Sequence, residues 1–153
     1  MTAKKKQSRA KTFDADFDAV ASLVKDNRIT ANEIIGYSEI DYPIFSFRYL
    51  APHSFPKCKD ASFFQDFLAR LQKLSELGWK RIALSDRHSF GTEKIGVCQI
   101  KPRRQLPPFV TDDMKLEVFR ANGNNLPFVG LRNGRTFHIF FIETSFGDVY
   151  YHD

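Results

Sequence analysis

Cysteine is scarce. Cys58 and Cys98 are the only two in 153 residues, and neither lies in a CxxC pair or at a zinc-ligand distance from a histidine. That spacing argues against a structural zinc site, and two reduced thiols in a cytoplasmic protein are expected. The chain has no GxxxxGK[ST], no GxGxxG, no HExxH and no GxSxG; Gly91 and Gly96 stand alone. Neither a metal nor a cofactor is therefore expected. No apolar run comes near the roughly 18 residues that a spanning helix needs, so no membrane partner is expected. The start, "MTAKKKQSRAK", has the charge of a signal-peptide n-region, but no apolar stretch follows it and no secretion signal is read.

Aromatic residues are abundant, with 16 Phe in a chain that is 42% hydrophobic. That is enough for one buried core at this length. The net charge of +5 equals the contribution of Lys4, Lys5, Lys6, Arg9 and Lys11, leaving 18 of the 23 basic residues to balance 18 acidic ones. Residues 80–104 are locally basic, with Lys80, Arg81, Arg87, Lys94, Lys101, Arg103 and Arg104 against Asp86 and Glu93. Such a segment attracts phosphates without reading a base sequence. The tail has two open readings, a solvated end and a nucleic-acid contact.

The organisation expected is a disordered basic tail over 1–11 and a single α+β domain over 12–153. "TFDADFDAVASLVKDN" spaces its apolar residues as a helix from Phe13 to Lys25. Ile44 to Leu50 reads as a strand. "DASFFQDFLARLQKLSELG" is the clearest helix: Phe63, Phe67, Leu71 and Leu74 form one stripe, with Phe64 and Leu68 beside it. Asp60 or Ser62 caps its start and Gly78 ends it. Trp79, Ile82 and Leu84 anchor a second helical piece. "KLEVFRA", "LPFVGLR", "TFHIFFIE" and "DVYYH" read as successive antiparallel strands, with Asn-Gly turns at 122–123 and 133–134. Pro127 marks an edge or a strand start. The fold class expected is α+β, with amino-terminal helices packed on a carboxy-terminal three- to four-stranded antiparallel sheet.

Alternation places Leu116, Val118 and Arg120 on one face. Phe128, Gly130 and Arg132 share a face, as do His138, Phe140 and Ile142. His138, inside the most apolar strand, is read as a half-buried hydrogen-bonded histidine rather than a general base. "SDRHSFGTEKI" gathers Arg87, His88 and Lys94 around Gly91, as a solvated loop or as a flexible phosphate-contacting loop. RNA cleavage without metal needs a base, a cation beside the phosphorus centre and an acid, tasks that His, Lys, Tyr and Arg can share. Aromatic residues near such cations can stack on unpaired bases.

The ending "LEVFRA–NGNN–LPFVGLR–NGR–TFHIFFIETSFGDVYYH", preceded by helices, resembles the RelE/ParE-like toxins of bacterial toxin–antitoxin pairs, over roughly Ile44 to Asp153. The resemblance implies a RelE-like sheet and a cytoplasmic toxin that cuts mRNA without metal, free or on the ribosome, and is neutralised by a cognate antitoxin. It also implies a catalytic set of Arg120, Arg132, Tyr151 and His152. An RNA-binding set of Arg87, His88, Lys94, Lys101, Arg103 and Arg104 would sit before the sheet. The alternatives are a non-catalytic RNA- or protein-binding module and an inhibitor borne by a phage or mobile element, docking through a sheet edge.

Overall fold

The computed structural model describes residues 41–52, 58–102, 105–120 and 127–152. The expected tail, the helix Phe13–Lys25, the boundary at residue 12, the Asn122-Gly123 turn, and Arg103 and Arg104 lie outside the described residues.

Among the described residues, two α-helices and one five-stranded mixed sheet make an α+β architecture. Helix α1, Ala61–Leu77, starts where Asp60 leaves the helical conformation and its Oδ1 accepts from the Ser62 amide at 3.0 Å. That bond satisfies one orphan donor of the first turn. The carboxyl of Asp60 is held below its ordinary range, first by the Ser62 hydroxyl and then by that amide. The stripe is as expected: Phe63, Phe67, Leu71 and Leu74 are buried and Phe64 packs against them, whereas Leu68 faces solvent. Gly78, at φ 84°, breaks the helix before α2, Trp79–Ala83. Trp79 and Ile82 are buried and Leu84 is exposed.

The strands are β1 (Ile44–Ser46), β2 (Glu93–Gly96), β3 (Lys115–Arg120), β4 (Pro127–Asn133) and β5 (Thr136–Ile142), arranged in the order β1-β5-β4-β3-β2. The antiparallel meander β3–β4–β5 is as expected, and Pro127 opens β4. Three expectations change. The sheet has five strands, because β2 pairs antiparallel with β3 and β1 pairs parallel with β5. The first strand is shorter than Ile44–Leu50, since the Leu50 amide bonds back to the Phe47 carbonyl and turns the chain. "DVYYH" is not a sheet strand; it makes one bridge, Tyr150 to Ile100. That ladder cannot lengthen, because Val97–Gln99 coils as a 3-10 turn on one side and Pro102 has no N–H on the other.

Each face of the sheet buries its own cluster. Helices α1 and α2 cover Phe119, Phe128, Phe137, Ile139 and Ile142. Loops cover Leu116, Val118, Val129, Phe140 and Phe141, using Ala51, Val97, Ile100, Val149 and Tyr150.

Candidate functional site at one end of the sheet

Four strands end together. Glu93 opens β2, Arg120 closes β3 opposite Pro127, and Glu143 follows β5 with its amide on the Pro127 carbonyl at 2.8 Å. Alternation alone would not bring Glu143 to the loop-covered face. A bulge does so: Val129 pairs with Phe141 but Gly130 pairs with Ile139, leaving Phe140 as the extra residue. A bulge reverses the alternation that follows it. Phe140 and Phe141 therefore both join the loop-side cluster and Ile142 crosses to the helix side; of the expected shared face of His138, Phe140 and Ile142, only His138 and Phe140 stay together, against Tyr49. Gly130 makes the bulge possible, because a Cβ there would stand 2.0 Å from the His138 carbonyl oxygen. The Phe140 carbonyl accepts from the Ala51 amide at 2.8 Å.

Glu143 is fully buried. Its Oε1 accepts from the Gly147 amide at 2.9 Å and lies 2.7 Å from His152 Nε2; its Oε2 accepts from the Val149 amide at 3.1 Å. Three donors converge on it, the set that an ionised carboxylate satisfies. In the tautomer that donates from Nε2 to Glu143, Nδ1 is the basic nitrogen of the ring. The ring stacks on Phe146 and on Tyr150, each with centroids 4.1 Å away and tilts of 27° and 31°. Rings this close and this parallel occupy its two opposite faces.

Glu93 is the second carboxylate. Arg87 Nη1 is 2.9 Å from Oε2, the Tyr150 hydroxyl donates to Oε1 at 3.2 Å, and Arg120 Nη2 is 3.8 Å from Oε1. Burial pushes the Tyr150 phenol well above its ordinary value, the Glu93 charge and hydrogen bond and the Glu143 charge push the same way, and Arg120 opposes them. The phenol therefore stays a donor across the ordinary pH range.

The expected site residues divide. Arg120 and His152 belong to this cluster, linked through Tyr150. Arg132 does not. It lies five residues along β4 from the partner of Arg120, about 17 Å at strand rise, with its guanidinium 4.0 Å over the Trp79 ring on the helix face. Its Nε donates to the Gly134 carbonyl at 2.7 Å, so it secures the β4–β5 turn. Tyr151 is exposed, with Lys101 Nζ 4.8 Å over its ring; Lys101 also donates to the Gly147 carbonyl. Arg87 is at the rim, its Nε 3.3 Å from His88 Nε2, and Lys94 is exposed on β2 opposite Glu117. The loop around Gly91 is tightly wound. Asp86 accepts from the His88, Ser89 and Gly91 amides, and a Cβ on Gly91 would stand 2.2 Å from the Ser85 carbonyl. His138 is half-buried against Tyr49, at 5.5 Å between centroids, but its Nδ1 is buried without a hydrogen-bond partner among the described residues.

Sequence reasoning missed Glu93 and Glu143, and it set Tyr151 rather than Tyr150 beside His152 in the catalytic set. The signal that leads to Glu143 is the glycine inside "LPFVGLR", because an isolated glycine in a strand marks a bulge. Among the described residues, no three His, Cys, Asp or Glu side chains are grouped to hold a metal, and no helix is long and apolar enough to cross a membrane. Compared with family models, curated proteins and solved structures, the chain matches none of them.

Proposed function

We propose that this protein is a toxin-like endoribonuclease that cleaves mRNA without a metal, using the end of the sheet where His152 meets Glu143. The observation that carries this reading is the imidazole held at 2.7 Å by a fully buried carboxylate, beside Tyr150 and Arg120. His152 Nδ1 takes the proton of a ribose 2′-hydroxyl, whose oxygen attacks the adjacent phosphorus. Arg120 and Arg87 stabilise the charge gathered on the phosphate oxygens. The P–O5′ bond breaks, the leaving oxygen takes a proton from an acid of the site or from water, and the products are a 2′,3′-cyclic phosphate and a 5′-hydroxyl. Exposed Phe146 and Tyr151 offer rings for unpaired bases.

The RelE/ParE-like relationship, the cytoplasmic setting, the ribosome and the cognate antitoxin belong to the same proposal. The helix-backed meander β3–β5 supports it, while β1 and β2 extend the sheet beyond the three to four strands expected. A second reading, an RNA-binding module without catalysis, is favoured by Glu93, which already engages both Arg87 and Arg120.

The test is to incubate purified protein with mRNA in chelator, with and without ribosomes, and to map the ends. Cleavage leaving cyclic phosphate ends, with growth arrest on expression relieved by a small neighbouring gene, is the expected result. Intact RNA in both incubations overturns catalysis. Binding that weakens steeply with salt then leaves the second reading standing.

A further inference from the structure

The Glu93 carboxylate sits where three donors converge. Arg87 reaches it at 2.9 Å, the Tyr150 hydroxyl at 3.2 Å and Arg120 at 3.8 Å. These three groups differ in exposure. The Arg87 side chain is 57% exposed, that of Arg120 is 11% exposed, and Tyr150 as a residue is 3% exposed. The buried Tyr150 hydroxyl, the largely buried Arg120 guanidinium and the exposed Arg87 guanidinium together surround one anion. Glu93 itself opens an edge strand and its side chain is 21% exposed, so it can swing outward without unmaking the sheet. Guanidinium groups bind carboxylate and phosphate through the same planar fork. A phenol that stays protonated can donate to either anion.

We infer that Glu93 is a built-in stand-in for a phosphate group, and that a phosphodiester oxygen of the ligand takes its place on Arg87, Tyr150 and Arg120. The inference rests on the reading of this end of the sheet as a phosphodiester site. It makes the side chain a brake as well as a brace, since a ligand phosphate must displace it before binding.

The experiment uses inorganic phosphate as the probe, with thermal unfolding of the wild type and of Glu93→Gln as the readout. Glu93→Gln keeps the shape and removes the charge that faces Arg87 and Arg120, so its midpoint falls below that of the wild type. Phosphate then raises the variant's midpoint and binds it at least about ten-fold more tightly than the wild type, while chloride at equal ionic strength does not. Glu93→Asp, which retains the charge but draws it back, serves where Glu93→Gln does not fold; its phosphate response falls between the two. Equal phosphate responses in variant and wild type, or a response that chloride reproduces, overturn the inference. RNA that stays intact beside a variant-specific phosphate response counts against the catalytic reading and not against the phosphate seat.

Discussion

The two faces of one sheet carry different chemistry. The helix-covered face is closed by aromatic rings: Phe119 stacks on Phe128 at 5.1 Å and meets Phe137 edge-on at 5.0 Å, with Phe45 and Trp79 alongside. The loop-covered face has apolar residues too, but it ends in Glu143, His152, Tyr150, Glu93 and Arg120. Helix α1 uses its backbone donors internally and offers only side chains to the face it covers. Loops have amides to spare, and those of Gly147 and Val149 are spent on Glu143. A buried carboxylate finds free backbone donors under the loops and none along the body of the helix, and the polar cluster sits where the loops are.

The largest effect expected is on the aromatic face. Phe137→Ala, at a fully buried ring, is expected to cost about 3–5 kcal/mol by denaturant unfolding, with the polar end unchanged in the molecules that remain folded. Gly130→Ala attacks the bulge that separates the faces. Overpacking of this kind costs about 1–3 kcal/mol, and a backbone oxygen 2.0 Å away puts it at the upper end. Should Gly130→Ala unfold at the wild-type denaturant midpoint, the bulge would not depend on glycine.

Glu143→Gln replaces an acceptor of three donors by a neutral amide and is expected to cost about 1–3 kcal/mol, with loosening of residues 147–152 seen as faster amide exchange at Gly147 and Val149. Arg132→Ala is expected to cost only about 0.5–1 kcal/mol, the worth of an exposed cation over Trp79, and to leave the polar end intact. The smallest effect at neutral pH belongs to Tyr150→Phe. The folded phenol holds its proton above the ordinary value of 10.0, so the unfolded chain loses that proton first and stability falls as pH rises from about 10. Stability-against-pH curves of wild type and Tyr150→Phe should diverge only on the alkaline side, with the variant falling less.

Much of the helix face was legible in the sequence. The stripe Phe63, Phe67, Leu71, Leu74 repeats at three and four residues, and Asp60 and Gly78 mark its ends by local chemistry. The turn at 133–134 was legible for the same reason, with Gly134 at φ 61°. The polar end was legible only in Arg120 and His152. "FHIFFI" is apolar on both sides of the bulge, so the reversal that redirects Glu143 leaves no mark in that strand. Two of the three partners of Glu143 are loop amides, which no residue type announces. Tyr150 and Tyr151 are alike in composition, yet the bridge to Ile100 buries the first and leaves the second exposed. The parallel pairing of β1 with β5 joins residues some 90 apart in the chain, beyond the reach of local pattern.

The most direct test of a site centred on the loop-covered end compares RNA cleavage in chelator by wild type, His152→Ala and Arg132→Ala, each shown to be folded. With the site there, His152→Ala loses cleavage by at least about 100-fold, while Arg132→Ala stays within about two-fold of wild type, the change expected for an exposed side chain remote from the chemistry. Cleavage retained by His152→Ala, or lost equally in Arg132→Ala, would contradict that placement of the site.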